Sequence, residues 1–123
     1  MNPQDLQYSK AHGWLRVAGD IGTVGITHHA QSELGDVIYV EFPQVGAKVE
    51  AGKTLGTIES VKAVSEIFSP VSGEVIEVNK DLVAAPETVN SDPYGKGWLV
   101  RVRMEKPPAG LMSAQQYTEY TAG

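Results

Sequence analysis

A chain of 123 residues suits one packed domain and leaves no room for a second core. With 41% hydrophobic residues it can bury a compact core, though not one large enough to wall in a deep site for several substrates. The formal charge is −5 and the ten basic residues are scattered, with Arg101 and Arg103 the closest pair, which argues against nucleic acid because phosphate neutralisation needs clustered cations.

Residues 14–17 and 23–26 predict two strands around an Ala18-Gly19-Asp20 turn. Thr27 can cap a short helix that runs through Glu33 and Leu34, and Gly35 can end it in a left-handed conformation. Residues 36–42 alternate as a strand that Pro43 closes. Residues 45–55 predict short strands with glycines at the corners. Gly56-Thr57-Ile58-Glu59 then leads up to Lys62, and Ser65-Glu66-Ile67-Phe68 leads away from it. Residues 70–79 resemble 45–55 in plan, a glycine corner and then alternating valines, as a weak internal repeat flanking a hairpin would. The polar stretch 81–93 carries two prolines and predicts a loop that can include a helical turn. In 97–104, Trp98, Val100, Val102 and Met104 alternate with Leu99, Arg101 and Arg103, which predicts a half-buried strand with the first set inward. Ser113 can cap a terminal helix through Tyr120, with Met112, Gln116 and Tyr120 on one side.

Catalytic patterns are wanting. The chain has no cysteine, hence no disulfide, thiolate metal site or thiol nucleophile. Gly22-Thr23-Val24-Gly25 lacks the third glycine and following helix of a dinucleotide fingerprint, and no P-loop pattern occurs. His28 and His29 are adjacent on the expected helix and diverge, so with His12 they read as surface histidines rather than metal ligands. Carboxylates such as Glu74 and Glu77 stand singly on strand faces and suggest no glycosidase pair. The first residues carry neither a basic and apolar leader nor an Arg-rich amphipathic pattern, and no apolar run approaches a membrane span, so a cytoplasmic location without membrane contact is expected.

Between the two alternating runs, Lys62 falls near the tip of an expected hairpin with its amine in solvent. Read from geometry alone it is an ordinary exposed lysine, one of seven. Its context, Glu59-Ser60-Val61-Lys62-Ala63, resembles the lipoylation motif of glycine cleavage H proteins. Further landmarks follow in order: Tyr8-Ser9-Lys10 with His12 and Trp14; Val24-Gly25-Ile26-Thr27 with Ala30-Gln31; Leu34-Gly35-Asp36; Pro43 with Gly46; Ser69-Pro70-Val71-Ser72-Gly73-Glu74; Val78-Asn79; Asn90; Pro93-Tyr94; and Gly97-Trp98. Biotin carriers share the general fold but typically flank their lysine with methionines, where this chain has Val61 and Ala63. The lipoyl domains of 2-oxo acid dehydrogenases are shorter and usually precede linker or catalytic segments.

The resemblance implies a mainly β, lipoyl/biotinyl-type barrel-sandwich hybrid over residues 1–123, with short helices that include one at the C-terminus. It implies lipoic acid joined to Lys62 by an amide, with Glu59, Ser60, Val61 and Ala63 recognised around it. It also implies a non-catalytic carrier that shuttles the aminomethyl intermediate of glycine. The partners would be glycine decarboxylase (P protein), aminomethyltransferase (T protein), dihydrolipoamide dehydrogenase (L protein) and the lipoate-attaching enzymes. Glu66 and His12 match positions associated with protecting the loaded arm in a cleft. One departure stands out: Gly13 occupies a place that is usually acidic in the family, between the histidine and tryptophan of the opening segment. His28 likewise stands where an acidic residue is common. Gly13 therefore keeps an alternative open, an H-like lipoyl carrier for lipoate relay or sulfur metabolism. An unmodified β-domain acting as an interaction scaffold is a third reading.

Overall fold

The computed structural model describes residues 2–122. The chain begins with β1 (Gln7–Tyr8), β2 (Gly13–Ala18), β3 (Ile21–Ile26), α1 (His28–Leu34) and β4 (Val37–Glu41). It continues through β5 (Lys48–Val49), β6 (Thr54–Ser60), β7 (Val64–Phe68), β8 (Gly73–Val78), α2 (Asp81–Ala84) and α3 (Thr88–Ser91), and ends with β9 (Val100–Met104) and α4 (Ala114–Ala122). The strands form a six-stranded sheet in the order β1-β2-β3-β9-β8-β5 and a three-stranded sheet in the order β4-β6-β7. Every pairing between these strands is antiparallel. Strands dominate, and a short helix closes the chain, as the sequence implied.

The two sheets enclose the core. Val24, Val75, Val100 and Val102 from the larger sheet join Val40, Ile58 and Ile67 from the smaller one in a continuous buried cluster. These β-branched residues suit the pleat, and burying each such side chain contributes about 1.5–3 kcal/mol before conformational entropy is subtracted. The two stretches of similar plan meet directly. β5 pairs with β8, Gly46 N donates to Val75 O at 2.7 Å, and Val75 N donates to Ala47 O at 2.9 Å.

A second cluster, Leu6, Tyr8, Trp14, Ala114 and Tyr117, ties α4 to the start of the chain. The Tyr8 and Tyr117 rings stack at 4.9 Å, and Trp14 Nε1 donates to Pro93 O at 2.9 Å. Met112 exchanges two backbone hydrogen bonds with Tyr8, so the short edge strand β1 has a partner on its outer side.

Four details differ from the sequence reading. Gly35 ends α1 at φ 77° but with ψ −159°, an extended mirror-image conformation rather than the left-handed helical one. The stretch 81–93 holds two one-turn helices, α2 and α3, pinned by buried Leu82 and Val89. The inward alternation of the last strand starts only at Val100. Leu99 is itself buried, while half-buried Trp98 lies under the Arg101 guanidinium at 4.0 Å. Ser113 does cap α4, its Oγ accepting from Gln116 N while Gln116 Oε1 accepts from Ser113 N, but the buried face is Ala114 and Tyr117, with Tyr120 exposed.

Candidate functional site

The β6–β7 hairpin carries Lys62 at its tip, and one buried hydroxyl organises that tip. Ser60 is 4% exposed, and its Oγ accepts from both Lys62 N and Ala63 N at 3.2 Å. Ser60 N donates to Ala63 O at 2.8 Å, and Val61 N donates to Asp36 O at 3.0 Å on the α1–β4 connection. The amides of residues 61, 62 and 63 are therefore all satisfied within the protein while their side chains face solvent. Among the described residues no ion pair or hydrogen bond engages Lys62 Nζ. The lysine stem passes over Gly35, where an added Cβ would stand 3.3 Å from Lys62 Cε. Only a glycine tolerates that backbone conformation, and its missing side chain leaves the space the stem uses.

Next to Gly35 opens a groove of about 190 Å³, lined on its apolar walls by Ile26, Leu34, Ile58 and Phe68 and on its polar ones by His12, Glu33 and Glu66. The structure thus brings His12 and Glu66 into one groove. Glu66 is exposed and its Oε1 accepts from Thr54 Oγ1 at 3.1 Å. Glu33 supplies a second carboxylate, 3.7 Å from His29 Nε2. Glu59 pairs across the sheet with Val64 and Tyr39 and faces solvent.

His12 adopts φ 68°, and its backbone is fixed by bonds from His12 N to Ser9 O and from Thr27 N to His12 O. Its Nδ1 lies 2.8 Å from Tyr117 Oη, which in turn lies 2.7 Å from Thr27 Oγ1, the hydroxyl that caps α1 by accepting from Ala30 N. Burial, reinforced by the adjacent His29 ring and opposed by Glu33, holds the His12 imidazole below its ordinary range, so it is neutral at pH 7. Burial also pushes the Tyr117 phenol up to about 12, against the hydrogen bond with Thr27, so it stays a hydroxyl. Gly13 lies in the groove lining with no positive φ, and a Cβ there would meet Ser9 Oγ at 3.3 Å. His28, the other departure, faces solvent beside Gln31.

No cluster of three potential metal ligands occurs among the described residues. Chemically, the arrangement offers a primary amine on a rigid, protruding tip, and beside it an apolar groove edged by two carboxylates. Such a groove can take a narrow apolar chain with a cationic end. The sequence reading gave Glu33 and Tyr117 no role at the site, and named Gly35 only as a helix end and Asn90 only as a landmark of the resemblance. Glu33 lay within the expected helix, where its spacing from Ala30 could have placed it on the same face.

The sequence model of the family described as "Glycine cleavage H-protein" matches residues 6–123. A glycine cleavage system H protein of Rubrobacter xylanophilus is 61% identical over 115 residues, covering 94% of this chain and 90% of the relative. One from Herpetosiphon aurantiacus is 53% identical over 118 residues, covering 96% and 92%. The crystal structure of a glycine cleavage system H protein from Mycobacterium marinum superposes with a TM-score of 0.93 at 38% identity, covering 98% of this chain and 99% of the other.

Proposed function

The chain belongs to the glycine cleavage H-protein family, and from that premise we propose that Lys62 is the residue through which it carries lipoic acid. Its role is that of a lipoyl carrier in the glycine cleavage system. The observation that supports Lys62 most directly is the tip itself, where Ser60 and Asp36 satisfy every amide from 61 to 63 while the lysine amine stays free to be acylated. The groove starting at Leu34, one residue from the Gly35 seat, has the apolar walls that a dithiolane arm requires.

When bound, the group supplies a disulfide that accepts and hands on a one-carbon amine fragment. The protein's own residues do the rest. The hairpin holds the amine out for an attaching enzyme, with Glu59, Val61 and Ala63 as the exposed features around it. Acylation removes the lysine charge, so nothing cationic need be desolvated at the root of the arm. His12, neutral at pH 7, presents no competing cation in the groove. Glu66, with Glu33 opposite on α1, favours the protonated form of an amine at the arm's end.

The chain itself performs no catalysis in this reading. Residues 1–123 act as one domain, although Met1 and Gly123 lie outside the described residues. Its partners are the P, T and L proteins and the lipoate-attaching enzymes, and it works in the cytoplasm. No helix is long and apolar enough to cross a membrane among the described residues. Tethering raises the concentration of the arm at whichever partner is docked. A carrier for lipoate relay or sulfur metabolism is not favoured, since the relatives at 50–61% identity are named for the glycine cleavage system.

Intact mass after expression with lipoate tests the site. The wild type should gain one lipoyl acyl mass at Lys62. Lys62→Arg keeps the charge but offers no ordinary amine, and should gain none. A Lys62→Arg protein that is still lipoylated, or that turns over with the glycine cleavage enzymes like wild type, would falsify the assignment.

A further inference from the structure

Asn90 lies 28 residues after Lys62 in sequence and makes no hydrogen bond to it, yet its side chain governs the surface on which the lysine hairpin rests. It sits on α3, which the fully buried Val89 fixes against the core. From there Asn90 Nδ2 donates to Gly35 O at 2.8 Å and to Gln31 Oε1 at 3.0 Å, and Asn90 Oδ1 accepts from Val37 N at 2.9 Å. These bonds bracket Asp36 from both sides. Asp36 O is the acceptor for Val61 N, and Gly35 is the seat under the lysine stem. One carboxamide therefore uses both its hydrogens and its oxygen to hold a three-residue shelf, and the shelf holds the first amide of the tip.

We propose that Asn90 is a positioning residue for the acylation of Lys62, an inference that rests on Lys62 being the lipoylation site. In that reaction the lysine amine attacks the carbonyl of an activated lipoyl group such as lipoyl adenylate. A C–N bond forms, the C–O bond to phosphate breaks, AMP leaves with the electron pair, and the nitrogen gives up its proton to solvent. The attaching enzyme must receive the tip in one orientation. A tip that occupies that orientation only part of the time binds more weakly in proportion to the lost population, and reacts normally once bound. The signature of the shelf is therefore a raised KM with kcat preserved.

The test acylates the unmodified full-length carrier with a lipoate–protein ligase and lipoyl adenylate, well below the melting temperature of every variant. Asn90→Ala should raise KM for the carrier about tenfold with kcat within about twofold, and amide exchange at Val61 should accelerate at least about tenfold while the β3–β9 amides keep their protection. Asn90→Asp retains the acceptor for Val37 N but turns a carboxylate toward Gly35 O and Gln31 Oε1. It should behave like Asn90→Ala at neutral pH, and it carries the same expectation should Asn90→Ala fail to fold. Val89→Ala, which destabilises the same helix without touching the shelf, should leave both KM and Val61 exchange near wild type. Wild-type KM in the folded Asn90 variants, or the same KM rise in Val89→Ala, overturns the proposal. A wild type acylated at a lysine other than Lys62 overturns the underlying site assignment, and this proposal with it.

Discussion

At the residue scale, the protective role proposed for the groove turns on Gly13 and the two carboxylates that line it. A carboxylate is missing at position 13, but Glu33 and Glu66 edge the same groove. Both are exposed in part, so each should favour a bound ammonium by a fraction of a kcal/mol to about 1 kcal/mol, or about two- to five-fold. Glu33→Gln and Glu66→Gln should each accelerate formaldehyde release from purified carrier loaded by glycine decarboxylase, and by about that factor. Gly13→Glu should slow it, since its backbone needs no positive φ and the new Cβ displaces Ser9 Oγ by only a few tenths of an ångström. Unchanged release from all three folded variants would dismiss a protective groove. His12 makes a separate prediction. Its folded pKa is depressed, by burial first and by His29 second, below an unfolded value of about 6.5. The stability it contributes is therefore complete above pH 6.5 and is lost as pH falls through the lower folded value. Asn suits the φ of 68° and does not titrate, so His12→Asn should flatten the dependence of the urea midpoint on pH below about 6.5. An equally steep dependence in that variant would assign the loss to other groups.

At the element scale, α4 is joined to α1 through one phenol. Tyr117 Oη contacts both His12 Nδ1 and the buried Thr27 Oγ1, 105 and 90 residues away in sequence. Tyr117→Phe keeps the ring stack with Tyr8 but removes a partner from part-buried His12 Nδ1 and one of two from buried Thr27 Oγ1, and should lower unfolding stability by about 1–3 kcal/mol in urea titration. A loss below about 0.5 kcal/mol would mean that water replaces the hydroxyl without penalty. What sequence could show divides along the same line. Strands of period two, the Thr27 and Ser113 caps and the Lys62 hairpin depend on neighbours within a few residues, and all were legible. The helices α2 and α3 are single turns, too short to display a 3.6-residue period. The alternation at Trp98 failed because the chain is still in a turn there, with Trp98 N donating to Gly95 O. The roles of Asn90 and Tyr117 rest on contacts across more than fifty residues, which no local pattern encodes. Lys62 was singled out by its motif, since exposure alone left it one lysine among seven.

At the scale of the whole molecule, two clusters divide the work. The sheet-to-sheet core carries the hairpin, and the aromatic cluster of Leu6, Tyr8, Trp14, Ala114 and Tyr117 carries the opening segment that lines the groove. A chain ending at residue 112 would keep the first cluster and uncover Trp14 and Tyr8, both 0% exposed in the intact protein. It should melt at a markedly lower temperature, and its tryptophan emission should shift to longer wavelength and become accessible to acrylamide before unfolding begins. Emission as blue and as protected as that of the full-length chain would show that α4 is not what shields the opening segment.

The bond between Asn2 and Thr118, like the paired amides of Tyr8 and Met112, joins the first part of the chain to the last. During synthesis this closure is necessarily a late event. The Lys62 hairpin and the Asn90 shelf beneath it both precede α4 in the chain, so the tip can form before the groove is braced. An attaching enzyme that reads only the tip would then not depend on α4, whereas a partner that reads the finished groove would have to wait for that helix to dock. The order in which the molecule becomes competent for its partners is thus written in how far apart along the chain their surfaces are assembled.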